Sequence, residues 1–355
     1  MNSASSNEEA DQRLLLHRLL RDFARLKAPE ELDHEEAIKA LGDALNNFAK
    51  RENNSGLPQR LARERAHLRE FAAEAEDINR DLAARLYNEL GVNGRVLALF
   101  QEAKADYERA LKIDEEVHGA DHPNVAIDFN NLGRVLGDLG DLAGARVNFE
   151  RALKIGEAAH GIDHPHVAIY INNVGWVLQE LGDLAGARVN YERALELGEA
   201  AYGPDHPKVA IRLNNLGVVL RDLGDLEGAR ANFERALKID ESLSGLDHPD
   251  VAIDLNNLGR VLQDLGDLVG ARTSYERALK IDEAVYGLEH PNVAIRVSNL
   301  GSVLRDLGDM GARINFERAL KINKKVFGDD HPYTRFVQHQ LNALAIEENK
   351  QKKSR

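Results

Sequence analysis

The sequence predicts an all-α solenoid in which antiparallel helix pairs stack on one another, and three observations support this fold class. The dipeptide His-Pro recurs every 42 residues from His122 to His290, and once more after 41 residues. Within each interval, two segments carry apolar residues at helical spacing. The chain has 355 residues, which exceeds the size that one compact core usually reaches. Stacked repeats that share a continuous core account for all three observations.

The first helix of each unit is expected to begin at the His-Pro dipeptide. Pro123 suits the first helical position, where the amide hydrogen that proline lacks would have no partner within the helix. Apolar residues then follow at helical spacing as far as Leu139. Gly140 is typical of the residue that ends a helix, and Asp141 is typical of the N-cap that begins the next one. Each unit is therefore interpreted as two helices joined by a tight turn.

A glycine stands in the middle of each first helix, within the motif Asn-Asn-Leu-Gly or a close variant of it. Glycine at such a position costs about 1 kcal/mol relative to alanine, so we interpret it as a point where two helices approach closely. A degenerate copy of the motif, Tyr-Asn-Glu-Leu-Gly at 87–91, precedes the first full copy, and we therefore predict six units. The glycines are Gly133, Gly175, Gly217, Gly259 and Gly301.

These units resemble the tetratricopeptide repeat. The small and aromatic positions of that family correspond in the first full copy to Leu132, Gly133, Ala145, Phe149 and Ala152. The length of 42 residues, where the family usually has about 34, and the pattern NNL…DHPxVA are similar to the kinesin-light-chain type. The resemblance implies a right-handed superhelix in which the first helix of each pair lines a concave groove.

The resemblance also implies that the tandem asparagines lie in this groove and hold the backbone of an extended peptide. An amide side chain both donates and accepts hydrogen bonds, so a column of amides can match the alternating N–H and C=O groups of a peptide. We expect this role for the first asparagine of each pair and a bond to the adjacent repeat for the second. The alternative is that the pairs serve only the stacking of repeats. The predicted groove asparagines are Asn130, Asn172, Asn214 and Asn256.

Side chains near the asparagine pairs vary between repeats, which predicts that they recognise the side chains of a ligand. Trp176, the one tryptophan, is either a binding anchor or packs over an adjoining helix. Acidic residues near the ends of the first helices, such as Asp138, are expected to pair with the arginines of the Gly-Ala-Arg motif, such as Arg146. Arginines in the groove would suit acidic residues of a ligand. The predicted groove arginines are Arg134, Arg212, Arg221, Arg260, Arg296 and Arg305.

The chain is expected to have three parts. Residues 1–57 form an N-terminal helical segment with a disordered start, and residues 58–331 form the six tetratricopeptide-like repeats, of which the first is degenerate. Residues 332–355 form a capping helix with a basic tail. A terminal helix with a polar outer face is what the end of a repeat array needs in water.

A short motif in the N-terminal part is similar to a second family. Leu16, His17, Arg18 and Leu19 resemble the region that joins the winged-helix part of STAND-class signalling NTPases to their repeat sensor. No phosphate-binding motif GxxxxGK[ST] occurs in the sequence. The resemblance therefore implies the sensor and autoinhibitory half of such an NTPase, without its ATPase domain. The alternative is a helical cap for the solenoid.

Composition excludes several classes of function. The formal net charge of −13 argues against a nucleic-acid partner, which needs a basic face on the protein. No apolar run is long enough to cross a membrane, the N-terminus lacks the pattern of a secretory signal, and cysteine is absent, which together predict a cytoplasmic protein. The one histidine cluster is His160, His164 and His166, and no arrangement typical of a metal, cofactor or catalytic site is found.

We therefore predict a non-enzymatic scaffold, with no cofactor and no metal, that binds a protein or an extended peptide in the concave groove. The sensor half of a STAND-type signalling NTPase is the alternative. Both functions depend on the display of a surface rather than on a reaction.

Overall fold

The computed structural model describes residues 34–54 and 59–354, in which all regular secondary structure is α-helical. The chain divides into two compact units, Met1–Val177 and Leu178–Arg355. The disordered start and the Leu-His-Arg-Leu motif that the sequence predicts near the N-terminus lie outside the described residues.

The helices of the first unit are α1 (His34–Asn54), α2 (Gln59–Ala62), α3 (Arg65–Ala75), α4 (Arg80–Val96), α5 (Phe100–His118), α6 (Pro123–Asp138), α7 (Leu142–His160) and the first part of α8 (Val167–Glu180). Helix α4 packs along α5, and α6 packs along α7, so each of these pairs is one repeat. Helix α5 also packs against α6, which joins the two repeats. Helices α1 and α3 pack against α4 and share one apolar core with it.

The helices of the second unit follow the end of α8 and are α9 (Leu184–Tyr202), α10 (Pro207–Asp222), α11 (Leu226–Ser244), α12 (Pro249–Asp264), α13 (Leu268–Tyr286), α14 (Pro291–Asp306), α15 (Gly311–Phe327) and α16 (Pro332–Ser354). Helices α10, α12 and α14 each pair with the helix that follows, and α16 packs on α15. This pairing confirms the predicted helix-pair unit, whereas the part boundaries at residues 57 and 331 stay predictions. In the described part of the chain, no helix has both the length and the apolar character that a membrane span requires.

The turn inside each pair has the predicted caps. Gly140 has a φ angle of +83°, a conformation that favours glycine. Asp141 Oδ1 accepts a hydrogen bond from the backbone N–H of Gly144 at 2.9 Å, and the backbone N–H of Asp141 donates to the carbonyl of Leu136 at 2.9 Å. One short turn thereby gives hydrogen-bond partners to a backbone carbonyl at the end of the first helix and to a backbone N–H at the start of the second. The same N-cap bond is made by Asp183, Asp225 and Asp267.

The histidine of each His-Pro dipeptide is an N-cap, a role that the sequence analysis missed. His122 Nδ1 accepts a hydrogen bond from the backbone N–H of Asn124 at 3.2 Å, at the start of α6. The ring of His122 also stacks on the ring of His118, at the end of α5, with 4.3 Å between centroids. The histidines therefore hold the turn between successive repeats. The same Nδ1 bond is made by His164, His206, His248, His290 and His331.

The glycine in the middle of a first helix lies against an aromatic ring of the second helix at Gly133, Gly217, Gly259 and Gly301, as the sequence predicts. A Cβ atom added to Gly217 would lie 2.7 Å from the ring of Phe233. The corresponding distance between Gly259 and Tyr275 is 2.8 Å. Real Cβ atoms essentially never approach other atoms so closely, so a side chain at these positions would force the helices apart.

Buried carboxyl groups lie where one repeat packs on the next. Asp254 on α12 is 1% exposed; its Oδ1 accepts a hydrogen bond from Asn214 Nδ2, and its Oδ2 has no hydrogen-bond partner. The carboxyl group of Asp240, on α11, lies within hydrogen-bond reach of Asp254. Burial is the main cause that raises the pKa of Asp254 to about 8, and burial also raises the pKa of Asp240. We infer that the pair holds a proton at neutral pH.

The close approach of glycine and ring predicts the effect of one added methyl group. Gly217→Ala should lower the free energy of unfolding by about 1–3 kcal/mol, because the cost of overpacking exceeds the gain in helix propensity. Adding Phe233→Leu, which removes the ring that the new Cβ would meet, should make Gly217→Ala less harmful than it is in the wild-type background. Urea unfolding of the two single variants and the double variant measures this coupling. Purely additive effects would contradict the prediction.

The Asp254–Asp240 pair predicts that stability depends on pH. The pKa of Asp254 is raised from its usual value of 3.8 to about 8, so between these values the folded chain binds more protons than the unfolded chain. The free energy of unfolding therefore falls as the pH rises through this interval. Asp254→Asn keeps an acceptor for Asn214 and removes the titration. We expect this variant to match the wild type at about pH 4 and to exceed it by about 1–3 kcal/mol at about pH 9.

Chemical unfolding at several pH values measures the difference between Asp254→Asn and the wild type. The control is Asp247→Asn, which changes the charge equally but lies on the surface. Its difference from the wild type should not grow with pH. A stability difference for Asp254→Asn that is the same at acid and alkaline pH would show that the pair does not titrate as described.

Candidate peptide-binding face

Most of the predicted groove residues lie on one side of the first helices, and Arg212 and Arg296 do not. In α6, Asn130 follows Ile127 by three positions and Arg134 follows Asn130 by four, and residues at this spacing share a helix face. We name this the asparagine face: in each first helix it consists of the isoleucine, the first asparagine or its replacement, and the residue four positions later. The first unit presents it on α6 and on the part of α8 that it contains, and the second unit presents it on α10, α12 and α14.

Hydrogen bonds link the asparagines of successive repeats. Asn173 Nδ2 donates to Asn130 Oδ1 at 2.6 Å, so the second asparagine of one repeat bonds the first asparagine of the repeat before it. This is the role that we expected for the second asparagine. The other bonds of this kind are Asn131 to Asn88 at 3.1 Å, Asn257 to Asn214 at 3.2 Å and Asn299 to Asn256 at 2.7 Å.

The first asparagines differ in the hydrogen bonds that their amide N–H groups make. Asn214 Nδ2 donates to Asp254 in the next repeat, and Asn214 Oδ1 accepts from Asn257, so both polar atoms of this amide have partners. Among the residues that the structure describes, Nδ2 of Asn130 and Nδ2 of Asn256 have no acceptor. At Asn130 the reason is visible in the sequence, because the position of the aspartate is occupied by Tyr170. The amide N–H groups of Asn130 and Asn256 thus have no partner among the described residues, although both side chains are only 7% exposed.

Two of the predicted groove arginines carry a charge that no described residue compensates by direct contact. Arg134 and Arg260 are exposed, and neither forms a hydrogen bond or an ion pair with the residues of ranges 34–54 and 59–354. Partial burial, followed by the like charge of a neighbouring arginine, lowers the pKa of each guanidinium. The neighbours are Arg95 and Arg221 respectively. An anionic ligand group would relieve this repulsion.

Two other predicted groove arginines are already paired. Arg221 Nη2 lies 2.7 Å from Asp222 Oδ1, and its Nε lies 3.7 Å from Asp264 Oδ2. Arg305 Nη1 donates to Gln340 Oε1 at 2.6 Å. These two side chains are therefore held in place before any ligand arrives.

The prediction that Arg212 and Arg296 lie in the groove is wrong. Both are almost completely buried between repeats. Arg296 Nε donates to Asp282 Oδ2 at 2.9 Å, and Arg212 Nη1 donates to the carbonyl oxygen of Lys208 at 2.9 Å. Each arginine stands two positions before the first asparagine or its replacement, and two helical steps of about 100° turn a side chain away from that face.

The pairing predicted for the acidic ends of the first helices is also wrong. Asp138 pairs with Arg95 of the preceding repeat and not with Arg146. Arg146 Nε instead donates to Glu150 Oε1 at 2.7 Å, because a spacing of four residues brings the two side chains together on one helix. The same pairing is made by Arg188, Arg230 and Arg272 with the glutamate four positions later.

Trp176 packs over the adjoining helix, which is one of the two interpretations that the sequence leaves open. A Cβ atom on Gly137 of α6 would lie 2.4 Å from Cη2 of the indole, so the ring occupies the space of a missing side chain. The indole also meets the ring of Phe149 edge to face, with 6.2 Å between centroids. Because Trp176 is only half-buried, part of its ring remains on the surface.

An apolar column on the asparagine face was missed in the sequence analysis. The isoleucine of each Val-Ala-Ile motif is exposed, with Ile127 at 45% and Ile211 at 59%. Exposed isoleucine at the same position of successive helices adds apolar surface to this face in each unit. The signal was present in the sequence, because the isoleucine precedes the first asparagine by three positions. The isoleucine column consists of Ile127 and Ile169 in the first unit, and of Ile211, Ile253, Ile295 and, on α16, Phe336 in the second unit.

The histidine cluster that the sequence analysis notes lies at the start of α8, where His164 acts as a cap. His164 Nδ1 accepts a hydrogen bond from the backbone N–H of His166 at 3.2 Å. The ring of His164 stacks on His160, with 4.6 Å between centroids. These contacts repeat those of His122 in the preceding repeat, so the cluster is accounted for by the cap.

Two family models, both described as tetratricopeptide repeat, match the sequence. The first matches residues 82–158, 129–200, 177–242, 211–284 and 250–312, and the second matches residues 293–333. Together these matches extend from α4 to the start of α16. No curated protein matches the sequence.

Solved structures of helical-repeat proteins are similar to this chain. BtubC (BKLC) from P. vanneervenii is 26% identical with a TM-score of 0.55, and the match covers 67% of this chain and 92% of that chain. The TPR-like repeats assigned to a kinesin light chain of Podosopora anserina are 19% identical with a TM-score of 0.50, over 57% and 96%. A chain of the APC/C hetero-tetramer Cut9–Hcn1 is 16% identical with a TM-score of 0.56, over 92% and 54%.

The similarities to the Podosopora anserina repeats and to the APC/C chain show the fold alone. The similarity to BtubC (BKLC) includes sequence identity as well as fold. The helix pairs, the glycine contacts and the family matches from residue 82 to residue 333 agree with one another. The chain belongs to the tetratricopeptide repeat family.

Proposed function

We propose that this protein is a non-enzymatic scaffold that binds an extended segment of another protein on the asparagine face. The observation that carries the proposal is that groups without a partner among the described residues recur on the asparagine face in both units. Arg134 and Arg260 have no ion pair among the described residues, and Asn130 and Asn256 have a free amide donor. The isoleucine column is exposed beside them. A surface of this kind gains hydrogen bonds, ion pairs and apolar contacts when a segment covers it.

Each part of the asparagine face suits a different part of an extended segment. The free amide N–H groups of Asn130 and Asn256 suit backbone carbonyl groups, which occur in every sequence. The isoleucine column suits apolar side chains of the segment, since burial of such surfaces is favourable. Arg134 and Arg260 suit carboxylates or other anionic groups. The proposed partner is thus a segment with apolar and acidic side chains, recognised partly through its backbone.

The proposal places this scaffold in the cytoplasm. The absence of cysteine suits a reducing compartment. The formal net charge of −13 disfavours nucleic acid as the partner, because phosphate groups would be repelled. A protein segment that contacts the two unpaired arginines avoids most of this repulsion, because salt screens charges beyond about 10 Å.

The unpaired arginines predict a loss of affinity when they are neutralised. Peptides are first selected from a random display library on the wild-type chain, and their dissociation constants are measured by fluorescence anisotropy. Arg134→Gln combined with Arg260→Gln should weaken binding at least about tenfold, because each guanidinium loses an anionic partner. Arg221→Gln combined with Arg305→Gln changes the net charge equally but removes arginines that are already paired. Equal weakening by both double variants would contradict a specific role for the first two arginines.

The isoleucine column predicts a second loss of affinity. Ile127→Ser combined with Ile253→Ser should weaken binding of the selected peptides about tenfold, because apolar side chains of the peptide lose their contacts. The control is Val147→Ser combined with Val189→Ser, which alters exposed aliphatic residues on second helices. Circular dichroism should show unchanged helix content in both double variants. If the valine variant weakens binding as much as the isoleucine variant, the binding surface is not the asparagine face.

A further inference from the structure

A cluster of potential metal ligands lies at the junction of the first two repeats, within the first unit. Asp81 stands in the first turn of α4, and Asp114 and His118 stand near the end of α5. One ligand atom from each of these three side chains lies within 4.8 Å of the other two. His118 Nε2 is 2.7 Å from Asp81 Oδ1 and 3.9 Å from Asp114 Oδ1. Ligand atoms of one Zn²⁺ ion lie about 3.3 Å apart, since each is about 2 Å from the ion. Binding would therefore move the closer pair slightly apart and the wider pair slightly together.

A fourth carboxylate adjoins the cluster from the next repeat. Asp128 on α6 is completely buried, and its carboxyl group lies within hydrogen-bond reach of Asp114. Its Oδ1 accepts a hydrogen bond from Asn88 Nδ2 at 2.7 Å, but its Oδ2 has no hydrogen-bond partner. A buried oxygen without a partner is costly. One buried oxygen of Asp128, next to the cluster, therefore lacks a donating group.

The imidazole of His118 does not make an ordinary hydrogen bond with the carboxylate beside it. Its Nε2 is buried and has no hydrogen-bond partner, although Asp81 Oδ1 is only 2.7 Å away. A metal ion bound by both atoms would give Nε2 the partner that it lacks. The stack of His118 on His122, at 4.3 Å, holds the ring in this orientation.

The charge of the cluster is unbalanced. The charged or titratable groups that face Asp114 are His118, His122, Asp81 and Asp128, and Glu115 adds a further negative charge near Asp128. No lysine or arginine is among them. A divalent cation would supply the missing positive charge.

Other junctions between repeats show which residues stand at the equivalent positions of this cluster. In the second unit, Asp282 stands at the position of Asp114, and its partner is Arg296, which forms an ion pair with it at 2.9 Å. Asp240 and Asp254 repeat the carboxyl pair of the first unit, 126 residues later in the sequence. Their junction has Ser244 and Pro207 in place of His118 and Asp81. The imidazole and the third carboxylate are thus additions that only the first junction combines with the pair.

We propose that Asp81, Asp114, Asp128 and His118 form a binding site for a divalent metal ion, with Zn²⁺ as the ion that fits best. One imidazole nitrogen with several carboxylate oxygens is a donor set that Zn²⁺ accepts, and four ligands are its usual number in structural sites. The exposed side chain of Asp81 gives the ion a route from solvent. Because the ligands come from α4, α5 and α6, the ion would fasten the degenerate first repeat to the first full repeat.

Metal titration of the untagged full chain tests the site. The chain is first treated with a chelator, and Zn²⁺ is then added in a calorimeter. We expect one Zn²⁺ ion per chain to bind with high affinity and to raise the midpoint of thermal unfolding. Asp81→Asn should weaken this affinity at least about tenfold, since even residues that only support a ligand contribute that much. Because Asp81 is exposed, the Asp81→Asn variant should retain its helix content. His118→Gln should lose the same amount of Zn²⁺ affinity.

Two controls separate this site from other acidic or histidine-rich places. Asp254→Asn alters the carboxyl pair that lacks a histidine, and His160→Ala alters the other histidine cluster; neither should change Zn²⁺ affinity. The absorption bands of bound Co²⁺ should disappear with His118→Gln and persist with His160→Ala. The proposal is overturned if no Zn²⁺ binds stoichiometrically. It is equally overturned if Asp81→Asn and His118→Gln bind Zn²⁺ as the wild type does, or if His160→Ala removes binding.

Discussion

The full repeats that lie within one compact unit depend on the close approach of the first helix to an aromatic ring on the second helix. At Gly133 a Cβ atom would lie 2.6 Å from the ring of Phe149, so the approach is possible only without a side chain. A glycine inside a helix costs about 1 kcal/mol, and burial of the ring offsets that cost, since Phe149 has no exposed surface. The contact sets the spacing within the pair. It thereby decides which side of the first helix enters the core and which side becomes the asparagine face.

The tandem asparagines explain how neighbouring repeats are held in register. Asparagine is a mediocre helix former, and its use at two successive positions has a local cost. Asn173 recovers part of it by donating to Asn130 in the repeat before, where the acceptor is close and partly shielded from water. The same amide column lies on the face that carries the exposed isoleucines. The stacking of the repeats and the proposed binding of a segment therefore both use the asparagine side chains.

The sequence was sufficient to predict the features that a single repeat determines by itself. The helix pairs, the Asp141 cap and the glycine contacts follow from residues close together in the chain. The directions of Arg212 and Arg296 could not be predicted in this way, because they depend on what the preceding repeat offers at the junction, such as Asp282 for Arg296. The cap made by His122 was missed because histidine is not a typical N-cap residue. The isoleucine column was missed because only the polar and charged residues of that face were considered as ligand contacts.

The two helices of the first full repeat begin with different chemical groups, and this difference has a consequence for substitutions. The cap of α6 is the imidazole of His122, which accepts a hydrogen bond through Nδ1 and also stacks on His118 at the end of α5. The cap of α7 is the carboxylate of Asp141, which accepts from Gly144 on its own helix. Removal of the His122 side chain therefore loosens both the start of a helix and its junction with the preceding repeat, whereas removal of the Asp141 side chain weakens a helix start within one repeat.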